Sequence, residues 1–215
     1  SGMISFTSRT RCQGYILVSY VTHPFLITPE QLSRVPHTNP LECMEIVDLL
    51  LDRGYGVDVI DWTNTRFIPK KHYIAVFDVH QNLERLSSFL PSECKKIFYI
   101  TGAHWLTQNS AEYKRLIDFR ERRGIVLLPR RNIAPNHNIE HADYAIALGN
   151  DFTRSTYAYA NKSISSIPLF STAIFSSPES KLFSRIAQRF VWIGGGGAVH
   201  KGLDLVLECF SQMPE

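Results

Sequence analysis

The chain has 215 residues, of which 44% are hydrophobic and 20% are charged, and its formal net charge is +3 at pH 7. This composition is typical of a globular protein and excludes a disordered or collagen-like chain. The small positive charge argues against a dedicated nucleic-acid-binding protein, which carries a dense Lys and Arg surface. Apolar runs such as Ile125 to Leu128 are far too short to span a membrane.

Strand-like apolar runs alternate with helical patterns along the whole chain. Strands are predicted at Gly14 to Tyr20, Val57 to Trp62, Tyr73 to Val79, Lys96 to Thr101, Ile125 to Pro129, Tyr144 to Leu148, Ile164 to Phe170 and Phe190 to Ile193. Helices are predicted at Asn39 to Arg53, Leu83 to Leu90, Asn109 to Arg123, Phe152 to Ala160, Lys181 to Arg189 and Gly202 to Met213. Short strands that are apolar on both faces, separated by helices, predict a parallel sheet covered on both sides. The predicted fold class is therefore α/β, a Rossmann-like doubly wound sheet.

The four cysteines, Cys12, Cys43, Cys94 and Cys209, form no CxxC pair, so the sequence does not indicate a zinc knuckle. They are also too sparse for a disulfide scaffold. The polar and basic stretch Ile4 to Gln13 lacks the apolar core of a signal peptide. We therefore expect reduced thiols in a cytoplasmic protein.

Polar and titratable residues follow several of the predicted strands. In doubly wound sheets, ligands bind beyond the carboxyl ends of the strands, which makes these residues the candidates for a site. They are Tyr20, Thr22, His23, Asp78, His80, Thr101, Gly102, His104, Trp105, Gly149, Asn150, Asp151 and Arg154. Loops are polar in any protein, but the repetition at several strand ends predicts a shared cleft.

A glycine run, Gly194 to Gly197, precedes His200, Lys201 and the last predicted helix. The run is not a P-loop, because Lys201 is followed by Gly202 and not by the Ser or Thr that would hold Mg²⁺. A glycine turn that enters a helix still favours a phosphate, since free N–H groups and the helix dipole attract an anion. The alternative is a plain tight turn. No GxGxxG fingerprint of a dinucleotide site follows the first predicted strand.

The segment His137 to His141 matches H-x-x-E-H, a pattern of zinc peptidases. That chemistry needs both histidines on one face of a long helix. The segment is flanked by Pro135 and Asp143, so it is too short for such a helix. We favour a surface turn or a short helix here, and no metal is predicted.

The end of the chain resembles the start of the donor domain of retaining GT-B glycosyltransferases. The match is close over residues 190–210, where a predicted strand and a glycine turn precede Lys201 to Phe210 (KGLDLVLECF) as in that family. The resemblance is looser over residues 14–188. It implies that residues 1–189 are the Rossmann-like acceptor-side domain and residues 190–215 the start of the nucleotide-sugar-binding domain.

The resemblance implies a hexosyltransferase-like enzyme of carbohydrate biosynthesis. Such an enzyme moves a sugar from a nucleotide-sugar donor to a saccharide or other acceptor, with retention and without a metal or other cofactor. Lys201, Gly196 and Gly197 would bind the leaving diphosphate. His104 is the candidate catalytic residue that contacts the donor sugar, with a buried structural role as its alternative.

Gly102, Asn150 and Arg154 complete the predicted donor- and substrate-binding set. Two departures from the family pattern affect the donor site. Gly195 or Gly196 stands where the family often has an arginine, and Tyr20 to Phe25 replaces a glycine-rich loop.

Because the donor domain of this family would continue beyond Glu215, we expect an incomplete and inactive form of a longer enzyme. The expected partners are the nucleotide-sugar and the acceptor, and not nucleic acid. Peripheral membrane association and a homodimer are left open. The alternative functions are a non-catalytic Rossmann-like binding module and a GT-B-shaped sugar-nucleotide epimerase.

Overall fold

The computed structural model describes residues 2–35, 37–169, 177, 179, 182, 184, 189–194 and 196–213. The chain forms two compact units, residues 1–104 with 135–172, and residues 105–134 with 173–215. The predicted domain boundary at residue 190 stays a prediction.

The first unit is built on one sheet. Its strands are β1 (Met3–Phe6), β2 (Tyr15–Tyr20), β3 (Gly56–Asp61), β4 (Tyr73–Asp78), β5 (Lys95–Ile100), β6 (Tyr144–Leu148) and β7 (Ile164–Ile167). They form a seven-stranded sheet in the order β1-β3-β2-β4-β5-β6-β7. All neighbours are parallel except β1, which runs antiparallel to β3. The predicted fold class, a Rossmann-like α/β fold, is confirmed.

Seven α-helices and two short 3-10 helices are found in the described residues. The α-helices are α1 (Pro29–Leu32), α2 (Asn39–Asp52), α3 (Asn82–Ser87), α4 (Trp105–Arg123), α5 (Asn138–His141), α6 (Asp151–Ser155) and α7 (Leu203–Ser211), and the 3-10 helices cover His23–Phe25 and Ala158–Ala160. Helix α2 begins at Asn39, with Thr38 and not the predicted Asn39 as its N-terminal cap, and it ends at Asp52, one residue before the predicted Arg53. Pro40 lies in its first turn, and Gly54, at φ +88°, follows its C-terminal cap.

Helices cover both faces of the sheet, and the alternation of side chains along each strand explains why. Val18 faces a core that it shares with Cys43, Val47 and Leu51 of α2. Leu17, one residue earlier, faces the opposite core, which contains Leu83 and Leu86 of α3 and Ile139 of α5. Successive residues of a strand point to opposite faces, so each buried strand needs apolar residues at nearly every position.

Two predicted strands are wrong. Ile125 to Pro129 forms no strand, and β5 pairs directly with β6, so the sheet has no place for it. Phe190 to Ile193 forms none either, and Ile193 is 87% exposed. An apolar run becomes a strand only where a neighbour satisfies its backbone groups, and neither run has one in the described part of the chain. The predicted helix at Lys181 to Arg189 lies almost entirely outside the described residues.

In the second unit, α4 and α7 are joined by ion pairs. Arg115 and Arg122 both contact Asp204, and Arg122 and Arg123 both contact Glu208. Because these ion pairs are exposed or half-buried, they add little stability. They do favour one packing arrangement of the two helices over others. No helix in the described ranges is long and apolar enough to cross a lipid bilayer.

Candidate functional site at the carboxyl edge of the sheet

The carboxyl ends of β2, β4, β5 and β6 lie side by side at one edge of the first unit's sheet. In the sheet, β3 is the neighbour of β2 on one side, and β5 is the neighbour of β4 on the opposite side. The chain therefore turns in opposite directions after the two adjacent strands β2 and β4. Such a reversal between neighbouring parallel strands opens a crevice at their carboxyl ends, where ligands of this fold class bind. The edge carries two clusters of polar side chains, one beside β4 and one beside β5.

The cluster beside β4 is centred on Asp78, whose side chain is fully buried. Its Oδ2 accepts hydrogen bonds from the backbone N–H groups of Asn82 at 3.0 Å and Leu83 at 3.1 Å, and from Nδ2 of Asn138 at 3.2 Å. Nδ2 of Asn82 in turn donates to Oγ of Ser19 at 3.1 Å. These contacts tie β2, β4, α3 and α5 together at the switch point of the sheet.

Burial raises the pKa of Asp78 to about 6, and donors around the carboxyl group, among them Ser19, offset only part of that effect. Among the described residues, no donor lies in hydrogen-bond geometry with Oδ1 of Asp78. A buried oxygen without a donor disfavours the charged form, which is the direction in which burial also acts on this pKa. The group titrates near neutral pH, but it lies too deep to meet a ligand directly.

His80 and Trp62 form the more accessible part of this cluster. Their rings lie 4.4 Å apart between centroids, and burial lowers the pKa of His80. The carbonyl of His80 accepts from Nδ2 of Asn138 at 2.6 Å, which holds the backbone after β4 in place. Burial therefore disfavours the charged form of His80, whose ring is tilted by 43° against the indole of Trp62.

The cluster beside β5 is centred on His104. Its ring packs edge-on against Tyr157 and Tyr159, with centroid distances of 5.3 and 5.2 Å. Nε2 lies 3.1 Å from the hydroxyl of Tyr159, and that hydroxyl donates to Oε1 of Glu140 at 2.8 Å. The backbone N–H of His104 donates to Oγ1 of Thr156 at 2.9 Å. The ring thus contacts two tyrosine rings and the hydroxyl of Tyr159 at a half-buried position.

Helix α5 connects the two clusters, since Asn138 reaches Asp78 and Glu140 reaches Tyr159. His137, just before the helix, donates its backbone N–H to Glu84 at 2.8 Å. The H-x-x-E-H segment is a short helix, as predicted, although Asn138 and Ile139 are buried where a surface turn would expose them. Within the described residues, no cluster of three or more His, Cys, Asp or Glu side chains could hold a metal.

Three further predicted site residues, Gly102, Asn150 and Arg154, make local contacts. The carbonyl of Gly102 accepts from the hydroxyl of Tyr157 at 3.3 Å. Oδ1 of Asn150 accepts from the backbone N–H of Thr153 at 3.1 Å, which makes Asn150 the N-terminal cap of α6. Arg154 forms an ion pair with Asp151 on the same helix.

The remaining predicted residues belong to the second unit. Gly197 adopts φ +89°, a conformation that favours glycine, and its carbonyl accepts from the N–H of Lys201 at 3.0 Å. Gly196 has open space where a side chain would be, and the side chain of Lys201 is exposed. Gly195 lies outside the described residues. Lys201 belongs to the turn before α7, which begins at Leu203 and not at the predicted Gly202.

The glycine turn lines a cavity of about 410 Å³ within the second unit. Arg130 lines the same cavity, together with Gly197 to His200. Glu112, the acidic residue in the lining, is buried and accepts the backbone N–H groups of Arg130 at 2.7 Å and Arg131 at 3.0 Å.

Asn82, Asn138 and Tyr159 belong to the edge clusters but are not predicted from the sequence. Asn82 could have been found, because it follows Asp78 within a helical turn after a buried strand. The other two make their contacts only through tertiary structure, and no spacing in the sequence marks them.

Comparison with known proteins identifies no relative. Neither a protein-family model, nor a curated protein, nor a solved structure matches this chain. The resemblance to GT-B glycosyltransferases therefore remains a hypothesis, which has to be judged on the site itself.

Proposed function

We propose that the chain is the acceptor-side part of a nucleotide-sugar-dependent glycosyltransferase of the GT-B class, together with the first part of its donor domain. The observation that carries the proposal is the cluster around His104 at the carboxyl edge of a parallel sheet. Sugars need both hydrogen-bonding groups and apolar faces in one place, because each pyranose ring presents hydroxyls around a patch of C–H groups. A histidine held between two tyrosines offers both.

The second unit supplies the proposed diphosphate contacts. The backbone around Gly196 and Gly197 would approach the phosphates closely, and Lys201 would neutralise the charge that develops on the leaving group. Arg130 lines the cavity next to the same turn. It is a candidate for the second cation, which the family pattern places in the glycine run and which this sequence lacks. Transfer with retention, independence of metal and a cytoplasmic location are parts of the proposal.

The test measures binding of sugars to the chain by NMR. Nucleotide-sugars with different bases and free saccharides are titrated at millimolar concentration, and the shifted backbone signals are mapped. We expect shifts in the residues that follow β4, β5 and β6. His104→Ala should weaken the binding about tenfold, the effect of losing one hydrogen bond.

The matched control is His72→Ala, since His72 is exposed and precedes β4 at the opposite end of the strand. That variant should bind sugars as the unaltered protein does. Signals that shift only away from the carboxyl edge, or a His104→Ala variant with unaltered affinity, would contradict the proposal. A total lack of binding by every nucleotide-sugar and saccharide would do the same.

A further inference from the structure

The first unit contains a cavity of about 830 Å³, here called the loop cavity, which is lined mainly by the loop of residues 62–72 that joins β3 to β4. Met3 on β1 and Tyr73 on β4 also line it. In the sheet, β1 and β3 lie beyond β2 and β4 when seen from β5, the strand that precedes His104. Among the described residues, no side chain of the two edge clusters lines the loop cavity. It is therefore distinct from the candidate site.

Tertiary contacts hold this loop in place in its middle and at its end. Nη1 of Arg85 on α3 donates to the carbonyl of Phe67 at 2.5 Å. At the end of the loop, Nζ of Lys71 donates to Asp58 at 2.8 Å, and the hydroxyl of Tyr73 donates to the same fully buried carboxyl group at 2.6 Å. Side chains that such a loop presents to the cavity are preorganised, which lowers the entropic cost of binding a ligand.

The charge of the cavity wall is positive. Arg66 and Lys70 line it together with Lys71, whose charge is balanced by the ion pair with Asp58. In the described part of the chain, Arg66 and Lys70 form no ion pair, and no aspartate or glutamate lines the cavity. The sequence also contains no acidic residue over positions 62–77. Cations that protein carboxylates do not neutralise favour an anion in the cavity.

Apolar side chains line the same cavity beside these cations. Met3, Phe67 and Ile68 belong to the wall, and Ile68 is 55% exposed. A cavity of this size that combines apolar walls with a few charged groups is the usual form of a small-molecule site. An inorganic ion would contact the cations alone, whereas an organic anion would contact both kinds of side chain.

We propose that the loop cavity binds an organic anion, a compound in which a phosphate or carboxylate group is attached to an apolar body. The anionic group contacts Arg66 and Lys70, and the apolar body lies against Met3, Phe67 and Ile68. Arginine suits this role because its planar guanidinium donates two parallel hydrogen bonds to a phosphate or a carboxylate. The inference does not rest on the proposed function, which concerns a different part of the sheet.

The experiment titrates the whole chain with naphthyl phosphate, which carries both an aromatic body and a phosphate, and maps the shifted backbone NMR signals. We expect the shifts in residues 64–73. Arg66→Gln and Lys70→Gln should each weaken the binding about tenfold, the effect of losing one hydrogen bond to a charged group. Both side chains are exposed, so neither change removes a buried contact. Lys114→Gln, at an exposed position on α4, is the matched control and should bind as the unaltered protein does.

A second arm separates the two parts of the ligand. Inorganic phosphate lacks the apolar body and naphthol lacks the charge, so each should bind at least about tenfold more weakly than naphthyl phosphate. Equal affinity for inorganic phosphate would overturn the inference, as would shifts outside residues 64–73 or unaltered affinity in both variants.

A third arm distinguishes a small anion from a membrane surface. The chain is sedimented with phosphatidylglycerol vesicles. If it binds these vesicles through Arg66 and Lys70 but does not bind naphthyl phosphate, the inference is wrong and the loop is a lipid-binding surface. An absence of binding to naphthyl phosphate and to the vesicles would also overturn it. Neither result bears on the binding of sugars at the carboxyl edge, so this failure is distinguishable from failure of the proposed function.

Discussion

Two aspartates of the sheet, Asp58 on β3 and Asp78 on β4, are both fully buried, yet their carboxyl groups behave in opposite ways. Asp58 accepts hydrogen bonds from Nζ of Lys71 at 2.8 Å and from the hydroxyl of Tyr73 at 2.6 Å. Burial alone would raise the pKa of Asp58, but the contacts with Lys71, Ser5 and Tyr73 outweigh it and lower the pKa.

Asp78 accepts more backbone donors, and no lysine or arginine forms an ion pair with it among the described residues, although the charge of Arg85 interacts with it; its pKa rises to about 6. At Asp78 the effect of burial outweighs the hydrogen bonds, whereas at Asp58 the contacts with Lys71, Ser5 and Tyr73 together outweigh burial. Asp58 is a structural anion away from the candidate site. Asp78 is a titratable group beneath it.

Removing the cation of the first site should have the largest effect. Lys71→Met leaves the buried Asp58 without its cation while the hydroxyl of Tyr73 still donates to it, and we expect the free energy of unfolding at pH 7 to fall by about 3 kcal/mol. Urea unfolding measures the change. Lys70→Met, at the exposed neighbouring position, is the control and should cost little. The double variant Lys71→Met with Asp58→Asn should regain part of the loss; if it does not, the charge of Asp58 is not what Lys71 compensates.

The second prediction concerns the pH dependence caused by Asp78. Its pKa is raised from 3.8 to about 6 in the folded chain, so its stabilising contribution is complete below pH 3.8 and is lost as the pH rises through about 6. Relative to Asp78→Asn, the unaltered protein should therefore lose up to about 3 kcal/mol between these pH values, given about 1.36 kcal/mol per pKa unit.

Urea unfolding of both proteins at several pH values between 4 and about 7 tests this pH dependence. Taking the difference removes the contribution of the histidines, which is common to both proteins. Asp118→Asn, at an exposed position on α4, is the matched control for loss of an aspartate charge. A difference between Asp78→Asn and the unaltered protein that does not vary with pH would show that Asp78 titrates like an exposed carboxylate.

The smallest effects are expected at a third buried carboxyl group, Glu42. It is held by the hydroxyls of Tyr20 and Tyr99, and no lysine or arginine contacts it in the described part of the chain. Tyr20→Phe and Tyr99→Phe should each lower the free energy of unfolding by about 1 kcal/mol, the effect of losing one buried hydrogen bond.

Because both hydroxyls serve one carboxyl group, the loss in the double variant should differ from the sum of the two single losses. Tyr144→Phe, exposed on β6, is the control for loss of a hydroxyl. The double-mutant cycle compares the loss of unfolding free energy in the double variant with the sum of the two single losses. If the two are equal, the two phenols do not share Glu42.

The parallel strands could be predicted from the sequence because burial on both faces requires apolar residues at successive positions, as Tyr15 to Tyr20 shows. The same rule failed at Ile125 to Pro129, where an apolar run lies outside the sheet. Hydrophobicity indicates that a segment tends to be buried, but it does not indicate whether the fold places a strand beside that segment. The opposite error occurred at β1, whose residues Met3–Phe6 are only partly buried and carry no strong pattern.

The location of the candidate site could be predicted from the sequence, but the contacts between its side chains could not. His104 was found because it follows a buried strand, and the carboxyl-edge rule needs only the order of elements. Tyr159 and Asn138 could not be found in this way, because 55 residues separate Tyr159 from His104 and 60 separate Asn138 from Asp78. Asn150 was assigned to a ligand, whereas its side chain caps α6, a role that the same residue type fills equally well.

The outer strands of the sheet are its shortest. β1 and β7 have 4 residues each, whereas β2 to β5 have 6. An outer strand exposes a row of backbone donors and acceptors, and a long one is a template on which another chain adds a strand and starts aggregation. In this sheet, each outer strand offers only a few residues for such pairing. The central residues of β7 are Ser165 and Ser166, which carry no large apolar side chain. The tapered sheet thus protects the native protein from edge-to-edge aggregation while its long central strands build the core.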